Sequence, residues 1–165
     1  IAILQRTREQ ARLDWPPAEP IKLSAADRQA VDAFWQPLLD IPLPERLTLH
    51  VRDHDTAELL ALADDAPDVS GLRIVRPGWH LGTLRKRRFE PSHALAVSLK
   101  AAEVGNRLDE PAGSELVARY LRGETLQMEG PAGWLMVTVA GFPVGWGKRV
   151  GSTIKNHYPR GLRWG

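Results

Sequence analysis

Residues 133–156 read GWLMVTVAGFPVGWGKRVGSTIKN. Leu135, Val137 and Val139 alternate with other residues at the period of a strand, and Gly141 then punctuates the run. A second alternating run follows and breaks at Gly151-Ser152, so the segment predicts three successive strands joined by tight turns. A small barrel or meander is the expected form. Most of its glycines are expected to serve bends and close approaches in a tightly curved sheet.

The chain continues to HYPRGLRWG, and residues 130–165 carry five bases and no acid. A glycine-rich run before Lys148 suggests a phosphate loop, but the spacing excludes one. Five residues rather than four separate Gly141 from Gly147, and Arg149 stands where the loop needs Ser or Thr for magnesium. Strand-like residues follow, so no helix N-terminus is available to receive a phosphate.

Working outward, SELVARYLRGE is a short helix closed by Gly123, and RLDEPAG before it separates two modules near Pro111. PSHALAVSLKAAEVG predicts a longer helix with Pro91 in its first turn and Leu95, Leu99 and Ala102 on an apolar face. GLRIVRPG and WHLGTLRKRRF read as two strands separated at Pro77-Gly78. TAELLALADD is expected to be a short helix and RLTLHV a half-buried strand. In LSAADRQAVDAFWQPLLD, Ser24 is placed to cap a helix, Val31, Phe34, Trp35 and Leu38 share its face, and Pro37 should kink or end it. Three prolines in DWPPAEP mark a semi-rigid linker, and IAILQR resembles the end of a strand whose sheet lies upstream, so a fragment is expected. The division is residues 1–20 as the end of an upstream domain plus linker, 21–110 as an α+β module and 111–165 as the small barrel. The fold class is α+β.

The 165 residues contain no cysteine, which removes thiol nucleophiles, thiolate metal sites and disulfides from consideration. No apolar run is long enough to span a bilayer, no membrane partner is expected, and the default address is cytoplasmic. His50 and His54 have no third ligand at a sensible spacing, and Asp53 and Asp55 suit capping better than paired acid–base chemistry.

Net charge is only +2, but it is distributed in blocks. Residues 40–70 hold two bases and eight acids, and residues 71–100 hold seven bases and one acid. Arg85, Lys86, Arg87 and Arg88 form one candidate phosphate-contact cluster. Lys148, Arg149, Lys155, Arg160 and Arg163 form the other, with Asn156, His157 and Tyr158 able to bond or stack on bases. Core packing is the leading expectation for Trp134 and Trp146. A solvated, charge-protected strand edge is the plain alternative for the first cluster.

GLRIVRPGWHLGTLRKRRFEPSHALAVSL (71–99) and GFPVGWGKRVGSTIKNHYPRGLR (141–163) resemble the C-terminal region of bacterial Sun-type, RsmF-like rRNA 5-methylcytosine methyltransferases. The resemblance implies a PUA-like RNA-binding domain at the end of the chain, preceded by an intermediate domain. It places an S-adenosylmethionine-dependent catalytic domain upstream of both. It also implies small-subunit ribosomal RNA and the chain's own N-terminal methyltransferase domain as partners. The two cysteines of that family's mechanism and its cofactor motif are missing from this sequence, so no catalytic or cofactor-binding residue is assigned here. The acidic 53–68 segment is longer than the family pattern. The competing function is a protein-interaction module whose basic strands dock on the catalytic domain or on a ribosomal protein.

Overall fold

The computed structural model describes residues 21–63 and 78–164. The expected opening strand, the proline-rich linker and most of GLRIVRPG lie outside the described residues.

Helix α1 (Ala25–Leu38) starts as its sequence dictates: the Ser24 hydroxyl accepts the Asp27 amide at 3.1 Å. Val31, Phe34, Trp35 and Leu38 are all buried along one stripe. Pro37 lies in the last turn, and the helix closes at Leu39, whose amide still reaches the Trp35 carbonyl.

A four-stranded antiparallel sheet follows, in the order β1 (Leu47–Asp53), β2 (Thr56–Ala61), β3 (Trp79–Arg85), β4 (Arg88–Pro91). The helix expected over TAELLALADD is thus a strand. Glu58, Leu59, Leu60 and Ala61 are all buried, because β2 is flanked by strands on both sides and covered on both faces. At the β1–β2 turn the Asp53 carboxylate accepts the Asp55 amide at 2.9 Å, so this aspartate shapes a hairpin rather than capping a helix. WHLGTLRKRRF is likewise a hairpin instead of one strand. Arg85 pairs with Arg88 across a two-residue turn in which Lys86 (φ 47°) and Arg87 (φ 59°) both adopt the left-handed conformation. Two such residues in succession match the right-handed twist of the flanking strands.

Helix α2 (His93–Ser98) is capped by Ser92, with Pro91 finishing β4 rather than opening the helix. It is shorter than its periodicity suggests. Leu99 is extended, and a separate 3-10 turn at Ala101–Glu103 continues the chain, where the Glu103 carboxylate accepts the Lys100 amide.

The second sheet is a curled, PUA-like arrangement of β5 (Arg107–Glu110), β6 (Leu126–Gln127), β7 (Gly133–Val139), β8 (Phe142–Val150) and β9 (Thr153–Asn156), in the order β5-β7-β8-β9-β6. The three strands expected from residues 133–156 are β7 to β9. Gly141 (φ 81°) and Gly151 (φ 59°) stand at the turns, in a conformation that costs glycine least. Helix α3 (Glu115–Leu121) is capped by Ser114 and packs on the inside of the curl. The short RLDE run, read as part of the break between two modules, is β5, and it pairs in parallel with β7.

Two cores result. Leu108, Tyr120, Leu126, Leu135, Val137 and Ile154 fill the curl of the second sheet. The larger core joins α1, the first sheet and α2 to Met136 and Trp146 of the second sheet. Phe34 sits at this junction, with ring centroids 5.2 Å from Phe89, 5.5 Å from Trp146 and 6.0 Å from Trp134. Burial of each such ring contributes about 1.5–3 kcal/mol. Among the described residues no helix is long and apolar enough to cross a membrane.

Candidate nucleic-acid interface

The two basic blocks meet. A groove of about 560 Å³ runs between α1, the β3–β4 hairpin and the start of β7, and Arg87, Arg88 and Lys148 all line it together with Trp134. The meeting follows from Phe34, which packs β4 on one side and β7–β8 on the other. Strand register supplies the rest: Trp134 pairs with Lys148, and Lys148 with Lys155, so an indole and two ammonium groups form a row across β7, β8 and β9. The Lys148 Nζ lies 5.1 Å from the Trp134 ring centroid. On a partly exposed ring this cation–π contact orients the lysine more than it neutralises it.

Arg87, Arg88, Lys148 and Lys155 are exposed and enter no ion pair among the described residues. Arg85 is exposed beside Arg88 in the hairpin register. Lys86 leans on Asp55 across 3.7 Å in an exposed pair of little energetic weight. Arg160 is exposed on the 3-10 turn Arg160–Leu162.

Four residues proposed from sequence also brace the domain. Arg149 is 5% exposed, and its guanidinium donates to the Pro131 carbonyl at 2.9 Å. Successive strand residues face opposite sides of a sheet, so Lys148 and Arg149 cannot share a surface. Asn156 donates to the Tyr120 and Glu124 carbonyls and accepts the Tyr158 amide, tying the end of β9 to the end of α3. Tyr158 is half-buried between Tyr120 (5.4 Å) and His93 (5.6 Å). Arg163 donates twice to the Tyr158 carbonyl. Arg149 is thereby taken off the open surface, whereas Asn156, Tyr158 and Arg163 brace the domain while staying partly exposed.

His157 keeps a place at the site, with its ring centroid 4.5 Å from that of Trp134. Desolvation against that ring lowers its pKa below the ordinary imidazole value, and Lys148 and Lys155 push the same way against the pull of Glu90. The neutral ring is therefore the favoured form at neutral pH. Trp134, expected in the core, is only half-buried. Its strand pairing in a row with Lys148 and Lys155, visible only once the sheet is formed, is what marks it.

Two family models divide this architecture between them. Residues 33–99 match the RsmF rRNA methyltransferase first C-terminal domain, and residues 111–164 match the methyltransferase RsmF PUA domain. The chain belongs to the RsmF family. The first match takes in the end of α1 and the Arg87–Arg88 hairpin, the PUA match takes in Trp134, Lys148 and Lys155, and the groove is lined from both. Among relatives, the ribosomal RNA small subunit methyltransferase F of Photobacterium profundum is 28% identical over 167 residues, covering 95% of this chain and 34% of that protein. The protein of the same name from Shewanella sp. (strain MR-4) is 30% identical over 178 residues, with 98% and 36% covered. That of Vibrio atlanticus is 30% identical over 127 residues, with 75% and 26% covered. The chain thus spans about a third of the length of the RsmF relatives it matches.

Proposed function

We propose that this region binds small-subunit ribosomal RNA and positions it for the chain's own S-adenosylmethionine-dependent 5-methylcytosine methyltransferase domain, in the cytoplasm. The observation that carries the proposal is the convergence of Arg87, Arg88 and Lys148 on one groove beside the Trp134 ring. Clustered cations neutralise phosphates and release counterions, and aromatic faces accept bases. The RsmF relatives, named as ribosomal RNA methyltransferases, support the same reading.

Among the described residues, the turn between β5 and α3 does not fit the cofactor. Between β5 and α3, where a cofactor-binding sheet would carry a glycine-rich turn, Pro111–Ser114 holds one glycine, and Ser114 caps α3 with its own hydroxyl. In this reading methyl transfer belongs to the methyltransferase domain, and these residues hold RNA.

The test is binding of a small-subunit ribosomal RNA fragment across a salt series. Arg87→Glu with Arg88→Glu, and separately Lys148→Glu with Lys155→Glu, should each weaken binding. Each lost phosphate contact should reduce the slope of log affinity against log salt by about 0.7 on single-stranded segments. Unchanged binding in both folded variants would favour the basic surface as a dock for an acidic protein.

A further inference from the structure

The groove has two chemical sides. Ala30, Ala33 and Pro37 follow one another along α1 at spacings of three and four, so that wall presents mostly small apolar groups beside the buried Phe34 and Leu38. The opposite wall, Pro131 to Gly133, is equally small. What remains is a half-open groove of about 560 Å³ with small apolar sides and a cationic rim. Its three cations have no carboxylate among the lining residues to answer them.

This pairing of features selects among RNA structures. A duplex keeps its bases stacked inside and offers a protein surface mainly phosphate and sugar, which would leave the groove empty. An unpaired nucleotide matches both sides, with a flat base for the groove and phosphates for the cations. Asn106 adds a directional group. Its Nδ2 donates to the Trp134 carbonyl at 2.9 Å, which fixes the amide orientation and leaves Oδ1 without a partner among the described residues. A polar side chain of this kind beside the groove suits contact with a base edge.

We infer that the groove is a slot for one unpaired nucleotide of the bound RNA, its base held between α1 and the 131–134 wall and its phosphates on Arg87, Arg88 and Lys148. The inference rests on the RNA-binding reading and adds the requirement that the RNA present an unstacked base at the joint between the two RsmF domains.

The test uses the full 165-residue chain, a fluorescein-labelled ten-residue oligocytidylate and a fully paired RNA duplex of the same length. Ala33→Phe fills the slot from an exposed helix position without changing charge, and Ala132→Phe fills it from the other wall. Each should lower affinity for the single strand at least fivefold, leave its salt slope unchanged and reduce the ratio of single-strand to duplex affinity. If Ala33→Phe fails to fold, Ala132→Phe decides. Undiminished single-strand affinity in a folded slot-filling variant, alongside weakened binding by Arg87→Glu/Arg88→Glu, overturns the slot and leaves the RNA reading standing. Preference of the unmodified chain for duplex also overturns the slot. Absence of any RNA binding overturns both.

Discussion

The indole nitrogen of Trp146 donates to the Ser92 carbonyl oxygen at 2.8 Å, so a strand of the PUA sheet is bonded to the very residue that caps α2. With Phe34 wedged against Trp134 and Trp146, the two RsmF domains share one core. Heat unfolding should therefore show a single cooperative transition by calorimetry. Trp146→Phe removes the donor and should cost about 1–3 kcal/mol, and Trp146→Ala adds a cavity for a total of about 3–5 kcal/mol. Two separated transitions in the unmodified chain would contradict the shared core.

Two neighbouring tyrosines should separate by chemistry. The buried Tyr120 hydroxyl donates to the Trp146 carbonyl at 2.9 Å, and burial raises its pKa far above that of a free phenol, so it remains a donor at every physiological pH. Tyr120→Phe should cost about 0.5–1.5 kcal/mol. The Tyr158 hydroxyl makes no hydrogen bond among the described residues, so Tyr158→Phe should be nearly neutral. Tyr158→Ala strips packing from Tyr120 and His93 and should cost about 1–3 kcal/mol. Chemical denaturation measures all three. A Tyr158→Ala variant of full stability but reduced RNA affinity would return this ring to the stacking role.

Lys148 and Arg149 are adjacent in sequence and opposite in place. Lys148→Met should lower the melting temperature by no more than about 1–4 °C, since an exposed cation–π contact contributes about 0.5–1 kcal/mol, while the salt slope of RNA binding falls by about 0.7. Arg149→Met should do the reverse, lowering stability by breaking the bond to Pro131 and leaving the slope intact. Salt titrations beside thermal melts distinguish the pair.

Acidification should destabilise the fold through His93. Its Nδ1 is buried without a partner among the described residues, and desolvation lowers its pKa below 6.5. Between that depressed value and 6.5 the unfolded chain binds more protons than the folded one, so stability rises with pH across this window. The contribution is complete above pH 6.5 and is lost as pH falls through the folded-state value. His157 acts in the same direction. Asp53, held low by the Asp55 amide, and Asp109, held low by the Thr138 hydroxyl and the Gly141 amide, titrate below the usual aspartate value of 3.8 and do not blur this window. Melting temperatures from about pH 7.5 to about pH 5 should fall less steeply in His93→Gln than in the unmodified chain.

Local chemistry made much of this legible. The Ser24 cap, the Val31–Leu38 stripe and the β7–β9 meander all depend on residues close in sequence, where period and turn residues speak directly. β2 was not legible as a strand because a strand covered on both faces loses its alternation, and Leu59-Leu60 then reads equally well as helix. β5 is four residues long and has a single buried apolar position, Leu108, so only its partner β7 reveals it. The site followed the same division. Its charges and aromatics were visible as two blocks, but their convergence is a property of Phe34 packing. Strict strand alternation would have separated Lys148 from Arg149 in advance.

β5 closes the far side of the PUA sheet with residues that precede the segment matched by the PUA family model. Asp109 reaches from it to the Thr138 hydroxyl at 2.6 Å and to the Gly141 amide at 2.9 Å, bracing the β7–β8 turn as well as the strand. A piece of the chain begun at Pro111 would lack both the ladder and the brace. β7, with Leu135, Met136, Val137 and Thr138 buried in succession, would then offer an open row of amides and carbonyls to any second copy nearby. Any shorter piece meant to keep the Lys148 surface intact should therefore begin well before the family boundary, far enough upstream to retain β5 and the Phe34 core that Trp146 packs on.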